Sequence, residues 1–182
     1  MQMKQAQAPA SILVTYASRS GSTAGVAEAI AETLQQHSLE VSVQPMQLVH
    51  DVSPYHAVIA GSAIRMDRWL PEALDFLHRH QPALRQKPFA AFLVCLSLAA
   101  KSEARQLKAR QAAHDWLQPV RELVPTVSEG LFAGALHVDK IPEWRYRSVL
   151  HLVKPLGILP EGDHRDWDVI RTWANQLPDV LI

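Results

Sequence analysis

Short apolar runs alternate along this chain with segments of helical period, and that alternation restricts the fold more than any other feature. Residues 11–16 are rich in Ile, Leu, Val and Thr and end in a Ser/Gly cluster, as a buried strand entering a turn does. Over 23–36 the period changes: Val26, Ala27, Ile30, Ala31 and Leu34 share one face, with Glu28, Glu32 and Gln35 on the other. Residues 40–44 alternate around Val41 and Val43 as a second strand, and Ala57-Val-Ile-Ala60 forms a third that feeds a loop at Gly61-Ser62. Pro71 suits the first turn of a helix whose apolar face is Leu70, Leu74 and Leu77. A fourth strand follows at 89–96, a long polar helix at 102–123 and a fifth strand at 131–138. Asp166 then caps a last helix carrying Ile170, Trp173 and Leu177. Strands that alternate with helices build a parallel sheet through right-handed crossovers. The expectation is a doubly wound α/β domain: a five-stranded parallel sheet of order 2-1-3-4-5 with helices on both faces. Its ligand would sit beyond the carboxyl ends of strands 1 and 3.

The chain has 182 residues and 48% hydrophobic composition, enough for one sizeable core. A disordered tail is expected at 1–10 and a single domain at 11–182, with an extended connection at about 139–165. Eighteen basic residues balance eighteen acidic ones, so no overall field draws the chain to nucleic acid. Residues 1–9 lack the apolar core of a secretory signal, and no apolar stretch reaches the ~18 residues of a membrane span. The single cysteine, Cys95, lies in an apolar run and reads as a buried, inert thiol. A cytoplasmic location is expected.

The loop after the first strand is Ser18-Arg19-Ser20-Gly21-Ser22-Thr23, and it opens directly into a helix. Such a turn aims backbone N–H groups and the positive end of the helix dipole at one place, and here adds hydroxyl donors. Gly21 can take the positive φ of an anion nest, and Arg19 can add charge. A phosphate monoester suits this loop; an ordinary strand-to-helix turn with a Ser/Thr cap is the competing reading. Other phosphate readers fit less well. A P-loop needs Lys after its glycine span, and a dinucleotide fingerprint needs three spaced glycines where only Gly21 and Gly25 stand. His78 and His80 are spaced to splay apart on a helix, so no metal site is expected. Ser22 and Ser62 lack a nucleophile elbow, which argues against a hydrolase.

These loops resemble those of a known family. Ser18, Ser20, Gly21 and Thr23 match the flavodoxin phosphate-loop pattern Thr/Ser-x-Thr/Ser-Gly-x-Thr. Tyr16-Ala-Ser-Arg-Ser-Gly-Ser-Thr23, taken with Ile59-Ala-Gly-Ser-Ala-Ile-Arg65 and Phe132-Ala-Gly-Ala-Leu136, is similar to the menaquinone-dependent protoporphyrinogen IX dehydrogenase branch. The resemblance implies a flavodoxin-like fold with FMN as cofactor. It implies phosphate contacts from Ser18, Arg19, Ser20, Gly21, Ser22 and Thr23. It places Gly61, Ser62, Ala63, Ile64 and Arg65 along the isoalloxazine, and Ser97 and Leu98 in a third ligand loop. The flavin would carry the chemistry, with no catalytic side chain. The implied activity is electron transfer from a reduced organic substrate, with protoporphyrinogen IX as a candidate, to a quinone; a non-enzymatic carrier between protein partners is the alternative.

The sequence departs from flavodoxins in two ways. Where they stack aromatic residues on the flavin it has Met66, with Trp69 further on, and Leu98. It also lacks their acidic excess. Residues 140–155 hold Trp144, Arg145, Tyr146, Arg147 and Lys154 beside Val149, Leu150, Leu152 and Val153. That composition reads either as a surface helix on the sheet edge or as a peripheral contact with an anionic membrane. Asp163 and His164 read as exposed residues.

Overall fold

The computed structural model describes residues 11–100, 102–136 and 162–182. The expected tail at 1–10 and the stretch 140–155 lie outside the described residues. The strands are β1 (Ser11–Ala17), β2 (Glu40–Pro45), β3 (Ala57–Arg65), β4 (Arg68–Trp69), β5 (Phe89–Cys95) and β6 (Ser128–Ala133), followed by two-residue strands β7 (Ala135–Leu136) and β8 (Gly162–Asp163). The helices are α1 (Ser22–Gln35), α2 (Pro71–Leu84), α3 (Glu103–Leu123), α4 (Trp167–Gln176) and α5 (Pro178–Leu181). The main sheet runs β2-β1-β3-β5-β6, all parallel, with β4 antiparallel on β3. Setting β4 aside, this is the expected order 2-1-3-4-5.

Period-two alternation assigns the two faces. Leu13, Val58, Ala91 and Leu93 point to the side covered by Phe76 and Leu77 of α2 and Leu117 and Val120 of α3. Ile12, Val14, Ile59 and Phe92 point to the other, covered by Val26, Ile30 and Leu34 of α1 and Ile170 and Ala174 of α4. Trp173 closes this second layer, edge-on to Phe92 and Phe132, and donates its indole N–H to Ser128 Oγ at 3.0 Å. Asp166 caps α4 as expected, accepting from the N–H groups of Asp168 and Val169.

Three expectations need correction. The third strand does not stop at residue 60: it continues to Arg65 and folds back through β4, so Gly61-Ser62 is strand and the turn lies at Met66-Asp67. The fifth strand is displaced, because Gly134 interrupts it, and Ala135–Leu136 turn aside to pair with Gly162–Asp163 at the far end of the extended connection. Cys95 is only half-buried, its Sγ 2.9 Å from Ser97 Oγ where β5 runs out into a turn. Among the described residues no helix is long and apolar enough to cross a membrane.

His80 on α2 makes stability depend on pH. It is 8% exposed, its ring stands 4.9 Å from that of Phe76, and its Nε2 is buried without a partner among the described residues. Burial holds its pKa below the usual histidine value; contact with the Val49 backbone opposes this, the Arg79 charge reinforces it, and Asp51 weakly opposes it. Below about pH 6.5 the unfolded chain therefore binds a proton that the folded chain refuses. Stability is full above that value and falls as pH drops toward the folded pKa. The urea midpoint should accordingly decrease between about pH 7 and about pH 5.5, and His80→Gln should flatten that decrease. An unchanged slope in the variant would assign the loss to other groups.

Candidate functional site

β1 delivers the chain to the carboxyl edge of the sheet at Ala17, and residues 18–21 turn it into α1. The turn holds itself together: Ser18 Oγ accepts the Gly21 N–H at 3.0 Å, and Gly21 adopts φ 86°, ψ −9°, a left-handed conformation suited to glycine. No side chain caps α1, so the competing reading of 18–23 as a capped turn is not what forms. By helix geometry the first-turn N–H groups have no intrahelical partner. Thr23, wholly buried in that turn, has a hydroxyl without a hydrogen-bond partner among the described residues.

Around Gly21 there is open space: a Cβ built on it would meet nothing within 4 Å. An uncapped helix start, an orphaned buried hydroxyl and a vacant approach at the glycine fit a phosphate monoester, and with it the FMN that the resemblance implies. Ser20 and Ser22 are half-buried on the same turn. Arg19 points elsewhere, pairing with Glu72 in the first turn of α2 at 3.0 Å. It links the first loop to the hairpin side of the site.

The segment 61–65 contributes differently from a loop. Gly61 is buried opposite Phe92 in the β3–β5 register, and a Cβ there would overlap the Phe92 ring. Ser62 is wholly buried; its hydroxyl accepts the Leu70 N–H at 3.0 Å and donates to Ala63 O at 2.8 Å, fastening β3 to the start of α2. These two residues therefore shape the site from beneath, while Ala63, Ile64 and Arg65 are half-buried toward the hairpin end. Trp69 sits opposite Ile64 in β4 and is 4% exposed, so its ring packs into the core side of the hairpin.

The third segment is a one-turn helix at Leu96–Ala99 directly after β5, with Ser97 exposed and Leu98 half-buried. Beside it, the exit of β6, Arg110 of α3 and His164 line a hollow of about 330 Å³. Contrary to expectation, His164 is half-buried with its Nε2 sheltered and unpartnered among the described residues. Asp163 is on the surface as expected and forms an ion pair with Arg165 at 2.6 Å.

Arg165 is the residue that sequence reasoning missed. Its guanidinium lies 4.4 Å from the Trp167 ring centroid, donates to the Ser22 carbonyl at 3.3 Å, and is held by both Asp163 oxygens. It reaches α1 because residue 25 is glycine: a Cβ there would stand 2.5 Å from Arg165 Nη1. The signal was Gly25 inside the first turn of a helix, where glycine is unfavourable unless something packs close. Among the described residues no cluster of His, Cys, Asp or Glu could hold a metal ion.

Comparison with known proteins bears on the family and the fold. The family model described as flavodoxin domain matches residues 13–156, most of the chain. No curated protein matches significantly. Among solved structures, a short-chain flavodoxin associated with a non-canonical PDU bacterial microcompartment superposes with a TM-score of 0.55 at 11% identity, covering 95% of this chain and 99% of its own. Flavodoxin 2 from Bacillus cereus gives 0.50 at 25% identity, covering 82% and 100%. The two-electron reduced flavodoxin of Megasphaera elsdenii gives 0.51 at 14%, covering 72% and 88%.

Proposed function

Because the chain belongs to the flavodoxin domain family, which binds FMN, we propose that it is an FMN-dependent oxidoreductase passing electrons from a reduced organic substrate to a quinone. Protoporphyrinogen IX is the donor we would try first. The observation that carries the cofactor assignment is the orphaned Thr23 hydroxyl beneath an uncapped helix start. Bound FMN supplies the redox chemistry. The chain's own residues bind and orient it: the N–H groups of 22–24 and the hydroxyls of Ser20, Ser22 and Thr23 would hold its phosphate. Gly21 would leave room for the phosphate, and Ala63 to Arg65 with Ser97 and Leu98 would flank the ring.

The balanced charge of the chain supports a small-molecule enzyme over a carrier, since it supplies no global field to steer an oppositely charged protein partner. Two measurements test the proposal. Protein purified under native conditions should be yellow and release FMN on denaturation; failure to take up added FMN at micromolar concentration would end the flavin reading. Reduced protein mixed with a menaquinone analogue in a stopped-flow instrument should reoxidise rapidly with saturation. Reoxidation only by one-electron protein acceptors would replace the enzyme with a carrier.

A further inference from the structure

Arg165 braces one particular peptide unit. The carbonyl to which its Nη1 donates at 3.3 Å is that of Ser22, and the N–H on the same rigid plane belongs to Thr23. Thr23 is the second residue of α1, so this N–H has no intrahelical acceptor and points with the helix dipole toward the open space at Gly21. The Thr23 hydroxyl, buried beside it, has no partner among the described residues. A hydrogen bond to the carbonyl holds the plane against rotation and, by polarising it, makes its N–H a stronger donor.

The guanidinium is itself fixed on every side. Asp163 takes Nε at 2.8 Å and Nη2 at 2.6 Å, which leaves Nη1 for Ser22. With its charge answered by Asp163, Arg165 contributes position rather than a free cation. The indole of Trp167 lies against the guanidinium, and the side chain is only 16% exposed. The backbone is held as well: β8 pairs with β7, the His164 N–H donates to the Gly134 carbonyl at 3.3 Å, and Asp166 caps α4 one residue further on. Arg165 thus ties the exit of β6 and the start of α4 to the first turn of α1.

We infer that Arg165 is a positioning residue of the phosphate cradle: it keeps the Thr23 N–H aimed at the phosphate, and so couples phosphate binding to the docking of residues 162–167 beside Gly134. This deepens the cofactor reading and rests on it. Such coupling is reciprocal, so bound phosphate must in turn steady 162–167.

The test is FMN titration of the full chain by flavin fluorescence, with amide exchange and thermal unfolding, for the wild type, Arg165→Gln, Arg165→Lys and Gly25→Ala. Arg165→Gln should weaken FMN about tenfold, within the usual range for coupled sites. Lysine keeps the charge but cannot grip Asp163 with two nitrogens and still reach Ser22, so Arg165→Lys should lose nearly as much. Gly25→Ala guards against a mere loss of folding, because alanine favours the helix while its Cβ displaces Nη1. It should weaken FMN severalfold with the melting temperature of the FMN-free chain no lower than wild type. In the wild type FMN should slow exchange of the His164 N–H by about the same factor as Arg165→Gln loses in affinity; in Arg165→Gln it should not. A merely structural arginine would leave that slowing in place and overturn the inference. Wild-type affinity in Arg165→Lys, or in both Arg165→Gln and Gly25→Ala, would overturn it too while leaving the cofactor reading intact. Failure of the wild-type chain to take up FMN would overturn the cofactor reading and this inference with it.

Discussion

Replacing Gly21 by valine should leave a folded chain that no longer retains FMN. Residue 21 sits at φ 86°, which costs an ordinary L-residue ~1 to 2 kcal/mol and a β-branched one more. No protein atom lies within 4 Å of a Cβ placed there, so the new side chain clashes with nothing in the chain itself and occupies the phosphate's approach. Relieving the φ strain would also break the Ser18 Oγ contact that shapes the turn. Losing even one or two charge-assisted phosphate contacts, at ~1.5 to 3 kcal/mol each, gives a fall in FMN affinity of about a hundredfold or more. Gly21→Ala, which adds the φ cost with little bulk, should lose about tenfold. Quenching of flavin fluorescence on titration measures both, and thermal unfolding of the FMN-free variants should show a drop of only a few degrees. Wild-type affinity in Gly21→Val would remove the phosphate from this loop.

The second large effect is on folding. Gly61→Ala should destabilise the chain by ~3 kcal/mol, near the upper end for overpacking, because the methyl would enter the space of the fully buried Phe92 ring. Phe92 is itself fixed by Phe132 and Trp173 and cannot swing aside freely. Gly61→Ala combined with Phe92→Leu should therefore be more stable than the sum of the single changes predicts, with a coupling of ~1 to 3 kcal/mol in urea unfolding. Strict additivity would mean that the glycine is there for another reason.

Gly61 also marks where reading the sequence stops. The strands, their order and the capped last helix were legible, because buried runs, 3.6-residue periodicity and Asp166 are local signals. The turn at 18–21 and its opening into α1 were legible for the same reason. The hairpin was not: Gly61-Ser62 looks like a turn, yet Phe92 on the neighbouring strand demands that glycine, and Met66-Asp67 lacks the chemistry of the turn it makes. The ties of Arg19 to Glu72 and of Arg165 to Ser22 were beyond reach because they span 53 and 143 positions. Long-range contacts of single side chains leave no periodic trace.

That last tie has a bearing on how the protein comes into being. Ser22 leaves the ribosome 143 residues ahead of the arginine that braces its carbonyl. At ordinary synthesis rates of ~5 to 20 residues per second, this amounts to roughly 7 to 30 s. Through that interval the apolar side of β1 and α1 also waits for Ile170 and Ala174 to cover it. The turn between β1 and α1 therefore cannot gain its Arg165 brace until the carboxyl-terminal segment has been made and α4 has docked.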